Sequence, residues 1–169
     1  GLIASLPING SFNMRTGMTP PWEVMKEVGK SFEVKSVSAD KEIPKDVDVL
    51  MIVHPAGLND KALYNIDQWV LRGGHALVMV DPVPESAPRR RTMMGAGPVA
   101  PGSDLPKLLK SWGLQYDKSL VAADARRAVR VPTQHEGRTV YAPHVGYLQL
   151  RKDDFNSKDP VTASLKTMI

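Results

Sequence analysis

Residues 47–55 read Val47-Asp48-Val49-Leu50-Met51-Ile52-Val53-His54-Pro55, and this stretch decides the fold. Five apolar residues follow Asp48 without interruption, and a histidine and a proline end the run. An unbroken apolar run of strand length is typical of a parallel strand that is covered on both faces. We therefore predict a central, doubly buried strand that ends at His54.

A second run of the same kind follows at residues 76–80 and ends at Asp81-Pro82. Between the two runs, Leu63, Ile66 and Trp69 recur at helical spacing after a capping Asn59 or Asp60. A strand, a helix and a strand in this order form a right-handed parallel crossover. The sequence thus predicts an α/β fold: a three-layer, doubly wound, mainly parallel sheet.

Elements on either side extend this prediction. Residues 2–6 are apolar enough for a first strand, residues 7–17 are predicted as a long loop, and Thr19-Pro20 is expected to start a helix. Residues 83–103 are predicted as a second long loop, with Ser103 starting another helix. Short strand candidates follow at residues 119–123, 128–131, 138–142 and 146–150. We divide the chain into an α/β domain at 1–116 and a small β-rich C-terminal extension at 117–169, packed on the same domain.

Composition narrows the possible functions. The 169 residues are 42% apolar and 24% charged, which predicts a folded globule. The absence of cysteine excludes disulfides and thiolate nucleophiles. No apolar run approaches the roughly 18 residues of a membrane-spanning helix. The first residue is Gly rather than Met, so we expect a piece of a longer protein that also stops short at its C-terminus.

The ends of the two apolar runs are the first candidate site, because doubly wound sheets bind ligands at the carboxyl ends of their strands. His54 and Asp81 would meet there as an acid/base pair, as ligands for a cation or sugar hydroxyls, or merely as packing and capping residues. The sequence leaves these alternatives open. The candidate ligand-binding residues are Pro7, Asn9, His54, Pro55, Asp81 and Pro82.

Arginine clusters are the second candidate site. Residues 85–169 hold 14 basic and 8 acidic side chains, against 8 and 10 in residues 1–84. Guanidinium groups suit carboxylate or phosphate partners, although solvated loops explain such clusters equally well. The candidate interaction residues are Arg89, Arg90, Arg91, Arg126 and Arg127. We expect no nucleic-acid partner because interleaved aromatics are few, and no metal or cofactor because no histidines have ligand spacing.

Several segments, taken in order, resemble the auxiliary components of uncharacterised ABC transport systems of the gliding-motility type. They are Ile43 to Pro55, Ile66 to Gly74, Leu77 to Pro82, Ser103 to Gly113 and Asn156 to Thr162. The resemblance spans nearly the whole chain. It implies a class I glutamine amidotransferase-like, or flavodoxin-like, central domain on the extracytoplasmic (periplasmic) side. It also implies an inner-membrane anchor in segments outside this sequence.

The resemblance also implies a role. We expect a non-catalytic receptor or interaction domain that works with ABC transporter permease and ATPase subunits, since amidotransferase chemistry needs a cysteine that this chain lacks. Two alternatives remain. One is a carbohydrate- or peptide-binding domain with its pocket at the strand ends, and the other is a hydrolase that uses Asp81 and His54.

Overall fold

The computed structural model describes residues 1–14, 17–82, 84, 91–92, 95–96 and 101–169, and these form two compact units, 1–116 and 117–169. The helices are α1 (Glu23–Ser31), α2 (Asp60–Leu71) and α3 (Pro106–Ser111), with a short 3₁₀ helix at Lys152–Asp154. The strands are β1 (Leu2–Ala4), β2 (Ser11–Asn13), β3 (Gly17–Thr19), β4 (Val49–Val53), β5 (His75–Met79), β6 (Arg91–Thr92), β7 (Gly95–Ala96), β8 (Ala128–His135), β9 (Arg138–Leu148), β10 (Leu150–Arg151) and β11 (Thr167–Met168).

A parallel sheet in the order β1-β4-β5 forms the centre of the first unit. Leu2 pairs with Met51, and Met51 with Leu77, so side chains at these positions share one face of the sheet. The prediction of a mixed α/β chain with parallel strands at both apolar runs is confirmed. On the other side of β1, Ser36 makes a single parallel bridge to Leu2. The alternating pattern of residues 32–37 predicts a short strand there, and the structure has this one bridge in that segment.

The larger core lies on the α2 face of this sheet. Leu50 and Ile52 of β4 are fully buried there with Ala62 and Ile66 of α2, and three leucines at 105, 108 and 109 complete the cluster. The Asn59 side chain accepts a hydrogen bond from the Ala62 N–H at 2.8 Å, which confirms the predicted cap of α2. Successive side chains of a strand point to opposite faces of the sheet. Ile3, Leu50 and Ile52 therefore face α2, while Leu2 and Met51 face the other side.

A smaller core lies on the opposite face, under α1. Met25 of α1 packs there with Leu2 and Ile8, and Met51 and Val53 of β4 lie at its margin. The prediction that a helix begins at Thr19-Pro20 is wrong. Thr19 ends β3, which pairs with β2 in a hairpin, and α1 begins only at Glu23. Strand β2 and the first residue of β3 also lie within the loop predicted for residues 7–17.

The prediction that both apolar runs are buried on both faces is wrong on the α1 side. Val49 is 45% exposed, Leu77 49% and Met79 42%. The core cluster under α1 takes in residues of β1 and β4 but none of β5. The outer part of this sheet face therefore stays in contact with water. The apolar pattern of the sequence does not predict this exposure.

The stretch from 83 to 103 was predicted as one long loop, and much of it lies outside the described residues. Within it, Arg91–Thr92 and Gly95–Ala96 pair as the short antiparallel strands β6 and β7. Ser103 does not start a helix, because α3 begins at Pro106 after Leu105 in a left-handed conformation (φ 41°). Ser103 has a different role, which the site geometry shows.

The second unit is an antiparallel ribbon with a small annex. Strands β8 and β9 are joined by Glu136 and Gly137, both at positive φ (50° and 75°), as a two-residue type I′ turn requires. Strands β10 and β11 form a second pair. Strands were predicted at 128–131, 138–142 and 146–150, but residues 119–123, predicted as another, are not a strand. No residue from 117 to 169 is buried.

We predict opposite effects for two glycine-to-alanine changes in the first unit. A Cβ at Gly74 would lie 2.3 Å from the Trp69 ring, so Gly74→Ala should lower the free energy of unfolding by about 1–3 kcal/mol. A Cβ at Gly29 in α1 meets nothing within 4 Å, so Gly29→Ala should raise it by up to about 1 kcal/mol. Denaturant titrations followed by tryptophan fluorescence measure this unit, because Trp22, Trp69 and Trp112 all lie in it. Equal midpoints for Gly74→Ala and wild type would contradict the tight Trp69 packing.

Candidate functional site

The carboxyl ends of β1, β4 and β5 lie side by side because the three strands are parallel and adjacent. This is the edge at which open α/β sheets carry their ligand-binding and catalytic groups. In this protein two serines connect the strand ends to one another. Neither serine was among the candidate site residues.

His54 follows β4 directly and has a left-handed backbone (φ 45°), which is uncommon for a residue with a side chain. Its N–H donates to the Met79 carbonyl at 2.8 Å, which continues the ladder between β4 and β5 by one residue. The side chain is 4% exposed, and Nδ1 lies 3.0 Å from the Ser103 hydroxyl. His54 is therefore held inside the fold at the strand end.

Ser103 is 2% exposed and bonds to both neighbouring strand ends. Its Oγ accepts the Asp81 N–H at 2.9 Å and lies 3.0 Å from His54 Nδ1, while its own N–H donates to the Asp81 carbonyl at 2.8 Å. Buried polar groups need such partners, because an unmet hydrogen bond in the interior is costly. Ser103 thereby connects His54 to the peptide of Asp81, whereas the Asp81 residue itself is exposed.

Ser5 makes the corresponding connection one strand further along. It follows β1, accepts the Ala56 N–H at 3.0 Å and donates to the Ala56 carbonyl at 3.1 Å. The loop after β4 is therefore fixed on one side by Ser5 and on the other by Ser103. Considered only as possible nucleophiles, the two serines lack the Gly-x-Ser-x-Gly motif. The one sequence signal for this role is the position of Ser5 near the end of a predicted strand. That signal does not identify the hydrogen-bond partner, Ala56, which lies 51 positions away.

A shallow cavity of about 220 Å³ adjoins Ser103 at this edge. Its apolar wall comes from Pro55, Leu58 and Leu63, and Asp104 and Lys107 lie at its polar side. Gly102, which also lines the cavity, packs so closely on Pro82 that a Cβ would lie 2.1 Å from the Pro82 carbonyl oxygen.

The predicted ligand-binding residues are spread over this edge. Pro55 lines the cavity, His54 is buried beneath the strand ends, and Pro82 is half-buried. Pro7, Asn9 and Asp81 are exposed.

The predicted interaction arginines lie in different settings. Arg89 and Arg90 fall outside the described residues, and Arg91 opens β6. Arg126 is exposed. Arg127 forms a forked ion pair within the second unit: its Nε lies 2.9 Å from each Asp154 carboxylate oxygen, and its Nη2 also donates to Asp154. The Arg127 guanidinium thus has an internal partner.

The electrostatics of this pair follow from its geometry. The Arg127 side chain, followed by the Arg151 N–H at 2.8 Å, holds the pKa of Asp154 below its usual value. A carboxyl whose pKa is lowered by folding stabilises the fold above its unfolded pKa. That contribution is lost as the pH falls through the lowered value.

Two absences apply to the described part of the chain. In it, no three His, Asp or Glu side chains come together in a way that would hold a metal ion. None of the helices found there has the length and apolar character needed to cross a membrane.

Comparison with known proteins identifies the family. The family model described as "ABC-type uncharacterized transport system" matches residues 1–169, and the chain belongs to this family of auxiliary transport components. The predicted relation to ABC transport is thereby confirmed. The chain has no significant match among curated proteins or solved structures.

We predict that Ser103→Ala destabilises the first unit far more than a serine change elsewhere in it. The substitution leaves the Asp81 N–H and His54 Nδ1 without their buried partner, which should cost about 1–3 kcal/mol of unfolding free energy. Ser111→Ala is the matched control, because that exposed hydroxyl bonds only to the Leu108 carbonyl, and its loss should stay within about 0.5 kcal/mol. Similar costs for both variants, from tryptophan-detected denaturation, would contradict the bridging role of Ser103.

A second prediction concerns Asp154. Its carboxyl should titrate below the ordinary aspartate pKa of about 3.9, and Arg127→Gln should raise the midpoint toward that value. Arg126→Gln is the control and should leave it unchanged. Carboxyl ¹³C NMR across the acid range measures the midpoint directly. The forked pair is refuted if Arg127→Gln does not move it.

Proposed function

We propose that this chain is a non-catalytic binding component of a membrane ABC transport complex and acts on the extracytoplasmic side. Family membership supplies the transport context. The proposal adds that the domain recognises a partner subunit or transported substrate and performs no turnover of its own. Permease and ATPase subunits are its expected partners.

The observation that carries this proposal is the hydrogen bonding of Ser103. The imidazole nearest to the strand ends is 4% exposed and contacts a serine hydroxyl that is 2% exposed. That hydroxyl already accepts the Asp81 N–H at 2.9 Å. A nucleophile must reach substrate, and a general base must be free to take its proton. The serine and histidine act here to fix the strand ends, which favours binding over catalysis.

The strand order supports a finer view of the fold. The extended segment at Ser36 lies beside β1, β1 beside β4, and β4 beside β5, while Met25 of α1 and Ile66 of α2 pack on opposite faces. Numbered by their order along the chain, these four segments (β1, the Ser36 segment, β4 and β5) lie in the sheet in the order second, first, third, fourth. That order, with helices on both sides, is the doubly wound arrangement. We propose that the domain is a doubly wound, amidotransferase-like sheet in which no cysteine occupies the strand ends. The gliding-motility type and the periplasmic location rest on sequence resemblance.

A second candidate function is the binding of a glycan or peptide in the cavity beside Ser103. An apolar wall of Pro55, Leu58 and Leu63 with Lys107 and Asp104 nearby is the mixed lining that small-ligand sites use. The cavity lies where doubly wound sheets bind their ligands. A hydrolase that uses Asp81 and His54 is less supported, because His54 is buried and bonded.

We predict that the protein carrying this chain copurifies with the ATPase and permease encoded beside it when the three are expressed together and extracted in detergent. The genes adjoining its own identify these subunits. Omission of the permease is the control and should abolish recovery of the ATPase. A protein that elutes alone, from a locus that encodes a hydrolase instead, would contradict the transport role.

The ligand-binding alternative has its own test. Calorimetric titration of the chain with cell-envelope glycan fragments and short peptides should give heat only if the cavity binds them. Leu58→Trp fills the cavity and should abolish that heat, while Leu114→Trp, at an exposed position away from the cavity lining, should not. Heat that survives Leu58→Trp would exclude this cavity as the site.

A further inference from the structure

A groove runs between α1 and the open part of the sheet. We call it the sheet-face groove. It measures about 440 Å³, and its floor and wall are apolar: Val28 and Phe32 on the α1 side, and Val49, Met51 and Leu77 on the sheet. Phe32 is 65% exposed, and Val49 and Leu77 are nearly half-exposed. This surface is distinct from the carboxyl edge that holds Ser103.

Parallel sheets occur almost only with both faces covered, and the usual cover is a helix. On the α2 face the central strand obeys this rule, since Leu50 and Ile52 are fully buried there, although Ala76 of β5 is exposed. On the α1 face Met25 covers Leu2, while Val49, Leu77 and Met79 are left open. An uncovered apolar patch beside a helix is shaped to receive a second helix.

The length of the open strands sets the size of that helix. Strands β4 and β5 have five residues each, which is about 16 Å of strand. A helix of about 11 residues, or three turns, spans the same distance. Its apolar residues would need to recur three and four apart to face the groove continuously.

The groove rim is acidic. Glu33, Asp46 and Asp48 line it, and Lys35 is the one basic side chain among those lining residues that the structure describes. Lys35 lies 3.1 Å from Asp46 and 3.6 Å from Glu33, so it has acidic partners already. The lining side chains therefore carry a net charge of −2. A helix with lysine or arginine beside its apolar stripe fits this rim, and an acidic helix is repelled by it.

A second copy of this chain does not supply such a helix from its described residues. Helix α1 pairs Glu23 with Lys26 and Glu27 with Lys30 and is neutral overall. Helix α2 contains Asp60, Lys61 and Asp67, for a net charge of −1. Helix α3 has only six residues and buries its leucines. The charges thus favour a different protein as the partner.

We propose that the sheet-face groove binds a basic amphipathic helix, about three turns long, of another subunit. The apolar stripe of that helix packs on Phe32, Val49 and Leu77, and its basic residues lie near Asp46 and Asp48. This inference rests on the sheet face alone and does not depend on the role in transport. It names a surface and a partner chemistry that the family does not specify.

The test uses two designed peptides of about 14 residues with Leu at helical spacing on an Ala background. One carries Lys on its flanks and the other Glu. The Lys peptide should bind the 169-residue chain at least about tenfold more tightly than the Glu peptide, by fluorescence anisotropy. Leu77→Gln and Phe32→Gln should each weaken binding of the Lys peptide at least about threefold. Leu71→Gln, at a residue 68% exposed on α2, is the matched control and should not.

Two further measurements make the outcome decisive. Asp48→Lys should reduce the preference for the Lys peptide, and unfolding curves will show that each variant is folded. Sedimentation should find the chain alone as a monomer. Equal binding of both peptides, or insensitivity to Leu77→Gln in a folded variant, overturns the proposal. So does a dimer that Leu77→Gln dissociates, because the groove would then bind a second copy.

Discussion

The hydroxyl of Ser103 is the contact on which the geometry of the strand ends depends. It occupies a buried position between β4 and β5, where it accepts the Asp81 N–H and contacts His54 Nδ1. Parallel strands leave backbone groups unpaired where they end, and burial makes each unpaired group costly. Ser103 satisfies one such group and fixes a histidine whose backbone is left-handed. Ser5 does the same for the loop after β4. The two serines therefore connect the three strand ends by hydrogen bonds.

These hydrogen bonds and the burial of their partners limit the chemistry that is available at the strand ends. His54 and Ser103 lie at hydrogen-bonding distance, as nucleophile and base do in hydrolases, yet both are almost fully buried. In this fold the pair is buried and hydrogen-bonded to the peptide of Asp81. The small cavity lined by Pro55, Leu58 and Lys107 is accessible at this edge, as are the exposed Pro7, Asn9 and Asp81. Such a surface can recognise a ligand or partner, which agrees with an auxiliary role in an ABC transport system.

Local patterns were enough to predict the two central strands, β4 and β5, and the α2 helix. The runs that end at His54 and Asp81 are parallel neighbours, and Asn59 caps the helix between them, because apolar periodicity and capping act within a few residues. The contact between Ser103 and His54 joins positions 49 apart, and no local pattern carries such information. Burial was overestimated for the same reason. The run Leu77, Val78 and Met79 is apolar on both faces, whereas the described core cluster on the α1 side includes no residue of β5.

The mismatch between apolar sequence and exposed surface is itself informative. A polar side chain at a water-facing strand position carries no burial penalty. A strand with one solvated face therefore normally alternates polar and apolar residues. Strand β5 does not alternate: Leu77 and Met79 point to the open face, while Ala76 and Val78 point to the α2 side. A sequence that keeps both faces apolar is suited to a state in which both are covered. The acidic rim at Asp46 and Asp48 favours a positively charged partner on this open face. A basic apolar helix satisfies both requirements, whereas burial by an uncharged surface satisfies only the first.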